Sequence, residues 1–280
     1  MTQLTIANQT ITLSNGVSLA YYDSDPQGAD TAQLNKPVVA LLHGYCGSSA
    51  YWEQVIEPLS AAARIIALDL RGHGRSSGET GPEETNAMEL YADDLAAMLD
   101  QLKINKACVL GHSLGGYITL AFAERYEEKL SAFGLVHSTP LPDSEAAKEN
   151  RDNAVAAIKK DGVAAFVEGL VPKLYSPDNK VAMPDRVERS IAIGKGTSAA
   201  GAIGAAKGMK IRPDRTEVLK KASLPVLLLA GEHDQIIPAE RTFAVEGPNV
   251  TRELLAEAGH MGMTERPGPF AEALLRFIKF

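Results

Sequence analysis

Two hydrophobic periods alternate along the chain. Apolar runs occupy 37–42, 64–69, 107–110, 133–137 and 225–230, and a further strand signal lies near 250–255. Runs this short, bounded by glycine or polar residues, suit strands buried on both faces of a parallel sheet. Between them, apolar residues recur three and four apart. In 83–102, Leu90, Tyr91, Leu95, Met98, Leu99 and Leu102 keep that spacing, which predicts a helix whose stripe is core rather than cofactor surface. The same spacing predicts helices around Trp52, Val55, Ile56 and Leu59, over 117–126, from Pro238 to about 245, and over 267–280. Repeated strand–helix alternation predicts an α/β fold, a mainly parallel sheet with helices on both faces.

Two regions break the rhythm. Residues 4–23 alternate apolar and polar in two short runs around Asn15-Gly16, a strong hairpin signal, and predict an antiparallel edge pair. A polar loop containing Pro26, Gly28 and Asp30 follows. From about 141 to 212 there are helical patterns (154–158, 163–170) and no convincing strand. Pro172, Pro177 and Pro184 interrupt them, and 199–208 is rich in glycine and alanine, which reads as a place where the segment can move. The expected organisation is a core of 1–140 and 213–280 carrying a helical insertion, 141–212.

The chemistry centres on Gly111-His112-Ser113-Leu114-Gly115, a G-x-S-x-G pattern between the 107–110 strand and the helix that follows. A serine on so tight a turn has strained backbone angles, and the residues two before and two after it pass close to neighbouring backbone, so glycine fits both. The turn lifts the Ser113 hydroxyl clear of the sheet and aims the Leu114 amide, at the start of a helix, toward a developing oxyanion.

A serine hydroxyl needs a base to take its proton and a partner to orient that base. In an open parallel sheet these groups belong on loops after the carboxyl ends of strands, which share one rim. There are six histidines: His43, His73, His112, His137, His233 and His260. His260, between Gly259 and Met261-Gly262 after the last strand, is the preferred base. Asp234, in Gly231-Glu232-His233-Asp234, is the preferred acid; Glu232 has less reach, and Asp143 is the rival. Tyr45, after His43-Gly44, offers a second backbone oxyanion donor. His43 reads as a histidine that shapes this loop, and His112 as one that packs behind the turn.

Composition narrows the alternatives. The chain has 280 residues, 45% of them hydrophobic, enough for one substantial core. A net charge of −7 without a basic tract argues against nucleic acid and anionic membranes as partners. No apolar run reaches membrane-span length, and the first residues lack a signal-peptide pattern. Cys46 and Cys108 fall on a loop and a buried strand, so a disulfide framework is not expected and a reducing cytoplasm is. Neither metal-ligand spacing nor a dinucleotide-binding glycine motif is present, so no metal or cofactor is expected. Arg71-Gly72-His73-Gly74-Arg75-Ser76 lacks the Gly-Lys-Ser/Thr of a phosphate loop and reads as a structural turn.

Taken together, His43-Gly44-Tyr45, Asp69-Leu70-Arg71-Gly72-His73-Gly74-Arg75-Ser76, Gly111-His112-Ser113-Leu114-Gly115-Gly116, Gly231-Glu232-His233-Asp234 and Gly259-His260 make the chain resemble the α/β-hydrolase superfamily over nearly its whole length. The resemblance implies an eight-stranded, mostly parallel sheet, a helical cap over 141–212, and no cofactor. It implies Ser113, Asp234 and His260 as catalytic triad, in the chain order expected of the fold, with the amides of Tyr45 and Leu114 as oxyanion hole. Epoxide hydrolases and dehalogenases usually carry aspartate where this chain has Ser113. The expected activity is hydrolysis of a small carboxylic ester through an acyl-enzyme. The alternatives are cleavage of a C–C, lactone or amide bond by the same triad, and a non-catalytic ligand receptor.

Overall fold

The computed structural model describes residues 4–28, 35–78 and 84–279. In chain order, its elements begin with β1 (Gln9–Thr12), β2 (Ser18–Asp23), β3 (Val38–Leu42), α1 (Ile56–Ala62), β4 (Arg64–Leu68) and α2 (Met88–Gln101). There follow β5 (Ala107–His112), α3 (Leu114–Arg125), β6 (Leu130–Val136), α4 (Glu145–Leu170), α5 (Pro177–Ala182), α6 (Pro184–Gly194), α7 (Ala199–Ile211) and α8 (Thr216–Lys221). The chain closes with β7 (Val226–Gly231), α9 (Ala239–Thr242), β8 (Val250–Leu255), α10 (Gly262–Glu265) and α11 (Pro267–Phe277).

The strands form one eight-stranded sheet in the order β1-β2-β4-β3-β5-β6-β7-β8. β1 and β2 are the antiparallel edge expected from Asn15-Gly16, and the pairs from β4 through β8 are all parallel. Alternation along the central strands divides the core in two. Val39, Leu41, Ile65 and Ala67 face a layer containing Leu59 of α1 and Phe270 and Leu274 of α11. Ala40, Leu42, Ile66 and Leu68 face Tyr91 and Leu95 of α2 and Ile118 and Phe122 of α3. Successive strand residues point to opposite faces, so an unbroken apolar strand serves two cores.

Three elements differ from expectation, each for a local reason. The helix read over 83–102 begins at Met88; Glu83 lies outside the described residues, as do Asp30 and Phe280. Residues 84–87 are not helical, because Asn86 docks on α7: its amide donates to Gly204 O at 3.0 Å. The helix read from Pro238 to 245 is only four residues long. The Arg252 guanidinium, from β8, takes the carbonyls of Phe243 (3.0 Å) and Val245 (2.6 Å) that a longer helix would use. The pattern around Trp52 and Leu59 divides into a 3-10 turn at Ser49–Trp52 and α1. The closing helix begins at Pro267 as read, in α11.

Between β6 and β7 the chain is helical, as expected. The two patterns read at 154–158 and 163–170 fall in α4, whose regular angles break at Gly162 (φ 82°). Pro177 and Pro184 open α5 and α6, where a missing N–H costs nothing. The Gly/Ala-rich run forms a helix, α7, packed closely on loop backbone. A Cβ at Gly201 would lie 2.3 Å from Gly72 O, and one at Gly208 1.8 Å from Asn86 O. These glycines let helix backbone touch loop backbone. No helix among the described residues is long and apolar enough to cross a membrane.

Candidate active site

The parallel strands end on one rim, and the rim carries the candidate chemistry. β3 runs into His43-Gly44-Tyr45, β5 into Ser113, β6 into His137, β7 into Asp234 and β8 into His260.

Ser113 has φ 51° and ψ −111°, the strained turn its motif requires. Its amide donates to Val136 O (3.0 Å) and its carbonyl accepts from Ser138 Oγ (2.8 Å), which fixes the turn against β6. The flanking glycines are steric necessities. A Cβ at Gly111 would stand 2.1 Å from Gly115 O, and one at Gly115 2.3 Å from Leu42 O. Leu114 is the first residue of α3, so its N–H has no acceptor within the helix. Among the described residues the Tyr45 N–H also has no acceptor. The Tyr45 loop lies over the serine: a Cβ at Gly44 would be 3.4 Å from Ser113 Cβ.

Asp234 and His260 form a buried pair, Nδ1–H donating to Oδ2 at 2.8 Å. The other carboxylate oxygen accepts from the amides of Ile236 and Ile237, each at 2.9 Å. Burial opposes ionisation of Asp234, but the facing His260 and the N–H groups of His137 and His260 outweigh it and hold the carboxyl well below the usual range. The His260 main chain is fixed as well: its amide donates to Leu174 O (2.7 Å), and its carbonyl accepts from His112 Nε2 (2.8 Å).

Ser113 and His260 line a common cavity of about 70 Å³, with Tyr45, Tyr51, Tyr117 and Arg151 on its walls. Among the described residues the Ser113 hydroxyl makes no hydrogen bond to His260; such contacts often close only around substrate. Open clefts elsewhere are larger, such as one of about 290 Å³ beside Glu124, Phe133 and Glu217, but they hold no nucleophile beside a base.

The rival carboxylates are engaged elsewhere. Asp143 accepts from Arg212 (2.6 Å) and Arg151 (3.0 Å). Glu232 is exposed and caps the Glu257 amide at 3.0 Å. His43 shapes its loop as expected: Leu70 N–H donates to its Nε2 (2.9 Å), and its Nδ1 donates to Gly44 O (2.8 Å). The 71–76 turn is structural, with Arg71 bidentate on Asp94 at 2.6 and 2.8 Å and Gly72 packed on α7. Cys46 is fully buried, and burial pushes its thiol up to about 12, so it is not a reactive thiolate.

Sequence reasoning named His137 but gave it no role. It lies at the end of β6 with Nδ1 3.4 Å from Asp234 Oδ2, and its place on the rim was the available signal. Among the described residues, His137, Asp234 and His260 also form the group whose potential ligand atoms lie within 4.8 Å of one another. The His260 Nδ1–Asp234 hydrogen bond uses two of these atoms. Tyr51, Tyr117 and Arg151 carried no motif; the fold alone brings them to the cavity.

Residues 37–267 match the family model for the alpha/beta hydrolase fold. The chain belongs to the α/β-hydrolase family. It is 30% identical to a Bacillus subtilis protein provisionally named 2-succinyl-6-hydroxy-2,4-cyclohexadiene-1-carboxylate synthase, over 96% of this chain and 97% of that one. It is 29% identical to the bifunctional esterase/perhydrolase DCH of Acinetobacter calcoaceticus, over 82% and 83%. Among solved structures, a thermophilic esterase from Thermogutta terrifontis, determined with malate bound, superposes with a TM-score of 0.86 at 30% identity, covering 97% of each chain.

Proposed function

We propose that this α/β-hydrolase is a serine hydrolase that cleaves a small carboxylic ester through an acyl-enzyme. The carrying observation is the buried Asp234–His260 hydrogen bond at the rim of the cavity that also holds the strained Ser113. His260 Nε2 takes the Ser113 proton as Oγ attacks the ester carbonyl carbon. The resulting oxyanion accepts from the N–H groups of Leu114 and Tyr45, each worth about 3 kcal/mol of barrier lowering. Collapse breaks the bond to the alkoxide, which leaves with the proton from His260. Water, deprotonated by His260, then releases the acid and restores the serine.

The esterase relatives favour this substrate class, and a cavity of about 70 Å³ suits a short acyl group. The segment 141–212 acts as a cap over a core of 1–140 and 213–280, contributing Arg151, Leu174 and Met209 to the cavity wall. Two free, buried cysteines accord with a cytoplasmic setting. The second reading is C–C chemistry by the same triad; one relative is named a synthase rather than an esterase.

The test is a substrate panel combined with a phosphonate probe. Short acyl esters are expected to turn over faster than anilides, lactones and vinylogous diketones, and the probe is expected to label Ser113. Ser113→Ala is expected to lose about 10⁴-fold or more in kcat. Faster turnover of diketones would favour the second reading, and a folded protein that neither labels nor hydrolyses would be a receptor.

A further inference from the structure

Asp234 faces two imidazoles. His137 has φ 47°, and its ring is wholly buried, outside the cavity wall. Its Nδ1 lies 3.4 Å from the same Asp234 Oδ2 that takes the His260 N–H at 2.8 Å. That approach is a close electrostatic contact rather than a formed hydrogen bond, and among the described residues neither ring nitrogen has a hydrogen-bond partner. Two glycines keep the space. A Cβ at Gly262 would stand 2.4 Å from His137 Nε2, and one at Gly231 3.1 Å from Cε1. Phe270 stacks on the ring at 6.4 Å and 9°. An apolar side chain would fill such a site without the cost of burying an unpaired nitrogen. The carboxylate facing Nδ1 is what offsets that cost.

We propose that His137 is a positioning residue: a protonated Nδ1 facing Asp234 Oδ2 draws on the charge of that oxygen and so sets how strongly the carboxylate holds the proton on His260. This role rests on His260 being the general base. The titratable and charged groups around the pair are His112 from β5, Glu265 from α10 and Arg151 across the cavity. Glu265 is occupied by the amides of Ser176, Gly259 and Met261, which leaves Asp234 as the carboxylate for His137. Burial lowers the affinity of His137 for a second proton, so its ring is neutral, with the lone pair on Nε2 against Gly262.

The tautomer is measurable without substitution. In the full chain labelled with ¹⁵N-histidine, long-range ¹H–¹⁵N spectra at pH 7 are expected to show His137 as the neutral Nδ1–H form; an Nε2–H form overturns the role. The pH dependence of kcat/KM supplies the second readout. His137→Leu removes the donor, leaves more of the carboxylate charge to His260, and is expected to move the acid limb about 0.5–1 unit to higher pH. His137→Asn, whose amide nitrogen can stand where Nδ1 stood and which tolerates the left-handed angle, is expected to keep the parent midpoint. A midpoint unmoved in His137→Leu, or moved to lower pH, overturns the role. Ser113→Ala separates the two assignments. If it remains active, the serine mechanism fails; if it is inactive while the profile stays fixed, only the role of His137 fails.

Discussion

The rim of the sheet and the helical segment 141–212 above it both use glycine to bring backbones together, yet they manage charge in opposite ways. On the rim, Gly111, Gly115 and Gly231 press strand ends and loops into contact, and one carboxylate, Asp234, is surrounded by imidazoles and amides. In the segment, Gly201 and Gly208 seat α7 on the core, while guanidinium groups pair with acids: Arg212 and Arg151 on Asp143, and Arg189 bidentate on Glu53 at 2.7 and 3.0 Å. An imidazole can give up its proton near neutral pH and a guanidinium cannot. The proposed chemistry accordingly falls in the first region, where a proton can move, while the second stays charged.

Exchanging the two acids breaks that comparison most severely. Asp234→Asn is expected to lower kcat about 10⁴-fold, because the amide no longer fixes the His260 tautomer, with little change in melting temperature. Asp143→Asn is expected to do the reverse. Leaving Arg212 and Arg151 without their buried acid costs about 3 kcal/mol of stability, while kcat stays within a few-fold. Equal kcat losses in the two variants would show that the segment shares in the chemistry.

Acid sharpens the contrast next. Burial lowers the proton affinity of His43, His73 and His112, in the case of His73 to about 4. An unfolded histidine binds its proton near 6.5, so between about pH 6.5 and 4 the unfolded chain holds more protons and stability falls as pH falls. His73 alone is expected to contribute about 3 kcal/mol of that loss. Urea unfolding followed through Trp52, whose indole stands 6.5 Å from the His112 ring, measures it. A stability flat from pH 7 to 5 would contradict the neutral, buried rings. The segment 141–212 contains no histidine and so adds no histidine contribution to this slope.

The smallest effects compare glycines. Gly208→Ala drives a Cβ against the Asn86 carbonyl and is expected to cost about 1–3 kcal/mol. At Gly169, exposed near the end of α4, a Cβ meets nothing within 4 Å, and alanine is expected to add about 0.5–1 kcal/mol. Thermal melts of both variants measure the difference.

The rim was legible because its demands fall on single residues. Gly111 and Gly115 admit no side chain, Ser113 must follow a strand, and Asp234 and His260 must follow later ones, so each constraint appears as a short motif. The segment was legible only as helices. What seats it is an encounter between distant residues, Gly208 with Asn86 or Arg212 with Asp143, and neither partner announces the other. For that reason the packing of the Gly/Ala run could not be read, and the helix read from 83 starts only at Met88, after Asn86. Asp143 likewise stood as a rival to the preferred Asp234 until the arginines around it were in place.

The ion cluster at Asp143 joins the start of the 141–212 segment to its end, since Arg212 lies 69 residues further along the chain, and Arg215 N–H donates to Pro140 O at 2.9 Å close by. The excursion leaves and re-enters the sheet through one doorway. A segment of different length or shape, spliced between the same two posts, would change what the doorway admits without disturbing the strands beneath it.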